Sequence, residues 1–367
     1  MTGGPISSNE FTDFVKGVVT PIMSNQAQPP VNLFAAYQDM LGERLHLLLE
    51  TLPSALRTDV VYALKGEGKL LSRSQTHPTL PAGLWPLLTF LIAQYISPDI
   101  DPVHASNVAI AVECFVCALD LLDDVEDDDQ TLVVRTLGVA RTLNVSTTLL
   151  MLAQKAILST SQQDIPVVHL LRLIDTLQES ALTATAGQHR DLLAEQRLAQ
   201  DLTSEECIEI AAGKAGSIMQ LACCLGAICA GADDALCEQF SILGALLGIA
   251  HQLDNDSHDL YYLLQGDTST VASTPGAGTT TRSVKTDLVR GKKTLPVVLA
   301  AKMLDTLQRK ASSADEENEE YLRALHQGIL TTWGISLLYR ERARDRLQEI
   351  DAQKPVDPIL RVLLGLE

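Results

Sequence analysis

Aromatic and basic side chains are both scarce in this chain. Aromatics make up 4% of its 367 residues, and 28 Lys and Arg face 46 Asp and Glu, for a formal net charge of −18. That balance argues against nucleic acid or an anionic membrane surface as partner, since either would be repelled. No window sustains two-residue apolar alternation, which speaks against a half-buried sheet. The N-terminal stretch lacks a basic start followed by a continuous apolar core, so no signal peptide is expected. The longest apolar run, Ser217 to Ala232, is short for a span and close to Lys214, and stable membrane insertion is not expected. Cysteine is present but unpaired in number: seven residues (114, 117, 207, 223, 224, 229 and 237), mostly inside apolar helical stretches. They read as small buried hydrophobes in a reducing cytoplasm rather than as a disulfide framework. Cys114-x-x-Cys117 has no second pair to make a metal site with.

What the chain does have is apolar content of 46%, spaced at three to four residues almost throughout. The fold class is therefore all-α. Residues 1–31 mix Gly, Ser, Asn, Gln and Pro and read as a flexible arm; residues 32–367 read as one helical domain. Within it, 265–284 is rich in Gly, Thr and Ser, and reads equally as a lid-like loop or a plain floppy one.

Charge is concentrated in one place. Asp120, Asp123, Asp124 and Asp127 close a long apolar helical pattern, and residues three, four and seven apart share a helix face. Carboxylates crowded at a buried helix end repel one another. A solvated acidic helix end would tolerate this; so would a divalent cation. Mg²⁺ binds through one or two carboxylates and takes further ligands from water and substrate phosphate. A second run, Asn255-Asp256-x-x-Asp259, repeats the spacing at the end of another apolar pattern. Gly187-Gln188-His189-Arg190-Asp191-Leu192, Lys214-Ala215-Gly216, Lys285-Thr286 and Gly291-Lys292-Lys293-Thr294-Leu295-Pro296 complete the set.

In that order these pieces resemble the trans-isoprenyl diphosphate synthase (polyprenyl synthetase) family, from roughly Glu113 to Pro296. The resemblance implies a class I isoprenoid synthase bundle around a central cavity, working as a cytoplasmic homodimer on a prenyl diphosphate. It implies Mg²⁺, three ions per site, held by Asp123, Asp124 and Asp127 with Asn255, Asp256 and Asp259. Lys214, Lys285 and Lys292 would bind the diphosphate, and Gln188, Asp191 and Gln252 would support the metal and substrate. The prenyl tail would run along Leu119, Ala118 and Phe115, with Phe115 as floor and a substrate of C20 or longer. Asp120, where the family is apolar, would serve the metal or steer the cation.

The departures concern the second substrate. Chain-elongating relatives hold isopentenyl diphosphate with G-K-R-x-R-P, a Gln or His, and R-R-G. Aligned on proline, the first becomes Pro81-Ala82-Gly83-Leu84-Trp85-Pro86, and Gly68-Lys69 upstream has the wrong spacing. Val116 stands at the Gln/His position, and Leu132-Val133 where R-R-G should begin, with Arg135 nearby. A diphosphate enters an apolar pocket only at a large desolvation cost. The reading implied first is a terpene synthase on a prenyl-synthase scaffold, ionising an allylic diphosphate of C15 to C25. The alternative is a trans-prenyltransferase, elongating a chain or modifying a peptide or small molecule. A third reading is a catalytically silent partner subunit.

Overall fold

In the computed structural model, which describes residues 34–72, 81–160, 166–264, 291–307 and 314–366, no strand occurs among those residues. The helices are α1 (Ala35–Leu49), α2 (Ser54–Leu64), α3 (Leu84–Ile96), α4 (Pro102–Glu126), α5 (Leu132–Leu137), α6 (Val139–Leu158) and α7 (Val167–Glu195). They continue with α8 (Ser204–Cys229), α9 (Asp234–Leu264), α10 (Leu295–Leu307), α11 (Ala314–Gln353) and α12 (Pro358–Leu364). The fold is all-α. The arm expected at 1–31, the lid-like stretch 265–284 and Lys285 lie outside the described residues.

α4 is the axis of the bundle. The Asp101 carboxylate accepts from the Val103 N–H at 2.9 Å, and Pro102 occupies the first turn, where its missing N–H costs nothing. Every side chain from His104 to Ala118 is buried. A helix apolar on all sides has to be surrounded, and α1, α3, α6 and α8 pack around this one. Each large apolar side chain so buried contributes roughly 1.5–3 kcal/mol. Beyond Ala118 burial gives way to carboxylates. The helix stops at Glu126, and Asp128 turns the chain at φ 54°, a left-handed conformation that Asp tolerates better than most residues.

The second acidic run is placed in the same way. Along α9, Phe240, Leu243, Leu247, Ala250 and Leu253 are buried at helical spacing, facing α8 and α11, and the polar run follows. Among the described residues, three helices are by length and composition long and apolar enough to cross a membrane: Pro102–Glu126, Ser204–Cys229 and Asp234–Tyr262. Counting unbroken apolar residues misses them, because isolated polar side chains interrupt each run. In the first, 83% of the apolar window is buried inside the bundle.

Candidate active site

A cavity of about 1050 Å³ opens where α4, α7, α8 and α9 converge. Asp123 and Asp124 line it from α4, Gln188 and Asp191 from α7, and Lys214 from α8. Gln252, Asn255, Asp256 and Asp259 line it from α9, and Lys292 from the segment before α10. Asp127 is buried against Lys292, with which it forms an ion pair. Near the cavity α4 ends at Glu126 and α8 bends.

The bend is in α8. Ala212–Gly216 forms a π-helical turn, and Lys214 projects from its middle. Such single turns concentrate at functional sites. Two glycines let neighbouring helices grip it. A Cβ on Gly187 would lie 2.6 Å from the carbonyl carbon of Gly213, and one on Gly248 would lie 2.3 Å from the Ala215 carbonyl oxygen. Neither distance admits a side chain, so α7 and α9 both touch the backbone that carries Lys214. Close approach sets Asp191 and Lys214 within reach: Lys214 Nζ donates to Asp191 Oδ2 at 2.8 Å and to Asp123 Oδ1 at 3.0 Å.

Burial alone would lower the Lys214 pKa, but Asp123 and Asp191 outweigh it and hold the ammonium above the ordinary lysine value. Lys292 is depressed by burial and by Lys214, yet Asp123 and Asp127 raise it overall. Both lysines are thus protonated donors. Burial raises the carboxyls of Glu126, beside Gln188, and of Glu195, which also feels Asp127 and Asp191. On α9, Gln252 Nε2 donates to Asp256 at 2.8 Å, and Arg340 pairs with Asp254 behind the row. Among the described residues, no three carboxylate, imidazole or thiol groups are gathered into a metal cage. The donors are hard oxygens on two walls of one cavity, and that fits a metal that takes few protein ligands and the rest from phosphate and water.

The acceptor side differs. The Gly83 N–H donates to the Gly68 carbonyl at 2.8 Å. This brings Gly68, next to Lys69, against the residue that precedes α3. Lys69 lines the cavity and pairs with Asp120. Burial works against the Lys69 charge, but Asp120 beside it more than compensates and raises its pKa. Behind them Glu113 is fully buried and accepts from the Leu70 N–H at 2.6 Å. Burial pushes its carboxyl up to about 6, against the pull of Lys69 and of that hydrogen bond. Val116, Leu119, Leu132, Val133 and Trp85 supply the apolar wall.

The Polyprenyl synthetase family profile matches residues 83–327 of this chain. The chain belongs to the polyprenyl synthetase family. Three of the curated relatives it matches illustrate the likeness. Geranylgeranyl diphosphate synthase of Mycobacterium tuberculosis is 32% identical over 54% of this chain and 53% of its own length. Tryptophan prenyltransferase ComQ of Bacillus spizizenii is 31% identical over 43% of this chain and 52% of its own. Geranylfarnesyl diphosphate synthase of Aeropyrum pernix is 27% identical over 77% and 87%. The chain thus spans about half the length of the first two. A crystal structure of geranylgeranyl pyrophosphate synthase superposes with a TM-score of 0.68 at 21% identity, covering 92% of this chain and 99% of that one, a likeness of fold.

The relatives are named for chain synthesis or prenyl transfer. They favour the transferase alternative over the terpene synthase that the sequence puts first. The structure places the remaining candidates as follows. Asp120 forms an ion pair with Lys69. Phe115 and Ala118 are fully buried in the core, and the Ala118 carbonyl accepts from Ser146 on α6 at 2.9 Å. Of the three tail-wall candidates Leu119 lines the cavity, with Val116 one turn deeper. Five residues back from Asp123 is most of a half-turn away from its face, whereas four and seven back stay on it. Sequence reasoning missed Thr131, whose hydroxyl donates to Asp124 Oδ2 at 3.0 Å, and Arg340. Thr131 carries the signal of a helix cap; Arg340 carries none.

Proposed function

We propose that this chain is a Mg²⁺-dependent trans-prenyltransferase that ionises an allylic prenyl diphosphate of C15 to C25 and passes the prenyl group to an acceptor. The observation that carries the reading is that two carboxylate rows, a half-buried lysine (Lys214) and a buried one (Lys292) face one cavity with an apolar continuation. Asp123, Asp124 and Asp127 would hold the metal with Asn255, Asp256 and Asp259, three ions by family resemblance. When bound, those ions supply Lewis-acid charge to the departing diphosphate. Lys214 and Lys292 are protonated and donate charge-assisted hydrogen bonds to its oxygens; Lys285 is assigned the same role. Asp191 and Asp123 orient Lys214, Gln252 orients Asp256, and Gln188 sits beside Glu126 at the rim. The apolar wall of Val116, Leu119, Leu132 and Val133 keeps water from the allylic cation.

The proposal includes a cytoplasmic homodimer, without nucleic acid and without membrane insertion. Exposed Val139, Leu143 and Met151 on α6 and Val168 and Leu171 on α7 are apolar surface that such an interface would bury. A second reading, cyclisation without an acceptor, is favoured by the apolar residues at the family's acceptor positions. One assay separates them: incubate the protein with Mg²⁺ and C10 to C25 allylic diphosphates, with and without acceptors. Products joined to an acceptor support transfer. A hydrocarbon formed from the allylic diphosphate alone supports cyclisation.

A further inference from the structure

The acceptor side of the cavity holds its charge in balance. Among the described residues its lining carries two cations, Lys65 and Lys69, and two anions, Glu67 and Asp120. Lys69 is tied to Asp120 in an ion pair, its side chain 12% exposed. The loop that carries it is fixed from both sides: Gly83 N–H to the Gly68 carbonyl, and Leu70 N–H to the buried Glu113. Asp120 in turn stands on α4, a rigid helix, one turn from Val116. Lys69 therefore cannot swing toward an incoming anion without leaving Asp120 behind. Around the pair the wall is apolar: Trp85, Val116, Cys117, Leu119, Leu132 and Val133. Trp85 also meets His251 edge-on at 6.3 Å between ring centres, which spans the gap between this wall and α9. Arg135 is exposed on α5 and does not line the cavity.

We infer that Asp120 is a specificity-determining residue: by occupying Lys69 it closes the acceptor side to a diphosphate and leaves it to an uncharged, electron-rich π nucleophile. This rests on the transferase reading above and names its acceptor class. A diphosphate entering here brings at least two negative charges to a neutral, largely apolar site and has to displace a carboxylate already in contact. An aromatic ring or alkene asks for no counter-charge and gains from the Trp85 wall. The transfer balances without oxidant or reductant. The allylic C–O bond breaks with its electron pair going to the diphosphate, and the acceptor's π pair forms the new C–C bond. The acceptor carbon then loses a proton to the released diphosphate.

The test uses the full chain with Mg²⁺ and geranylgeranyl diphosphate, following diphosphate release and product identity with isopentenyl diphosphate or indole as acceptor. Wild type is expected to give prenylated indole as the main product and only weak chain elongation, with a high KM for isopentenyl diphosphate. Asp120→Asn is expected to lower the KM for isopentenyl diphosphate by about tenfold or more, the effect of roughly 1.4 kcal/mol of recovered binding, and the double change with Lys69→Met to remove that gain. KM for the allylic substrate serves as internal reference, so a merely structural change, which moves both constants, is distinguished. Elongation by wild type that Asp120→Asn leaves unimproved overturns the inference while the transferase reading stands. Prenyl alcohol or hydrocarbon as sole product in both arms overturns it too. Absence of any diphosphate release overturns the transferase reading itself, and the inference with it.

Discussion

On the metal side of the cavity Lys214 bridges two carboxylates from two other helices, Asp123 and Asp191; on the acceptor side Lys69 meets Asp120. A lysine shared between two anions leaves negative charge over, which attracts a metal ion and, through it, a diphosphate. A lysine matched to one carboxylate leaves a neutral pair. On the transferase reading proposed above, the same residue types around one central helix suit one region to a polyanion and the other to an uncharged partner. The two regions also differ in burial: Asp123 and Asp191 keep 22% and 15% of their side chains exposed and Asp120 53%, so the desolvation cost to be met is larger around Lys214.

The strongest way to break this contrast is to remove the bridge. Lys214→Met should lower turnover by roughly a hundredfold or more, the scale of losing a preorganised charge-assisted donor at the site of developing negative charge, while the helical circular dichroism stays unchanged. Diphosphate release measures it, and full activity would return Lys214 to a structural role. Next comes the support of the bridge. Gly187→Ala puts a methyl 2.6 Å from the Gly213 carbonyl carbon and 2.8 Å from the Lys214 nitrogen. Overpacking of this kind costs about 1–3 kcal/mol, and urea unfolding should show the loss together with reduced turnover; unchanged stability would mean that the helices separate freely.

Ala118→Phe sharpens the boundary between cavity and core. Ala118 is fully buried next to α6, so the larger ring should destabilise the fold by about 1–3 kcal/mol and leave the preferred substrate length as it was. A shift toward shorter allylic substrates would put Ala118 back in the tail wall.

The smallest effect concerns Glu113. Its folded pKa, about 6, lies above its ordinary value of 4.5, so the native state binds the proton more tightly than the unfolded chain. Stability then falls as pH rises through that window, by at most about 2 kcal/mol for a shift of this size. Glu113→Gln should flatten the urea midpoint between pH 4.5 and 6 relative to wild type. An equal slope in both proteins would remove Glu113 from the balance around Lys69.

The metal side was legible in the sequence because its signal is local. D-x-x-D spacing on a helix puts carboxylates on one face whatever the rest of the chain does, and Gly187, Lys214 and Lys292 fall in short motifs of fixed spacing. The helices themselves were legible from apolar periodicity, although α4, buried on every side, gave composition rather than a stripe. The wall around Lys69 was not legible, because its geometry depends on a contact distant in the chain: the Gly83 N–H meets the Gly68 carbonyl. The family match begins at residue 83 and so leaves Lys69 outside. Asp120 was read with the carboxylates that follow it for the same reason, its partner being 51 residues upstream. Arg340, paired with Asp254 across 86 residues, belongs to this class too.

The central claim is that an allylic diphosphate is ionised between the two carboxylate rows. Its most direct test is the rate of diphosphate release from geranylgeranyl diphosphate in Mg²⁺ and in EDTA, for wild type, Asp123→Asn and Asp256→Asn. The account predicts release by wild type in Mg²⁺ alone, and a fall of roughly a hundredfold or more in each variant. Release that continues undiminished in EDTA, or full rates in both variants, would contradict it.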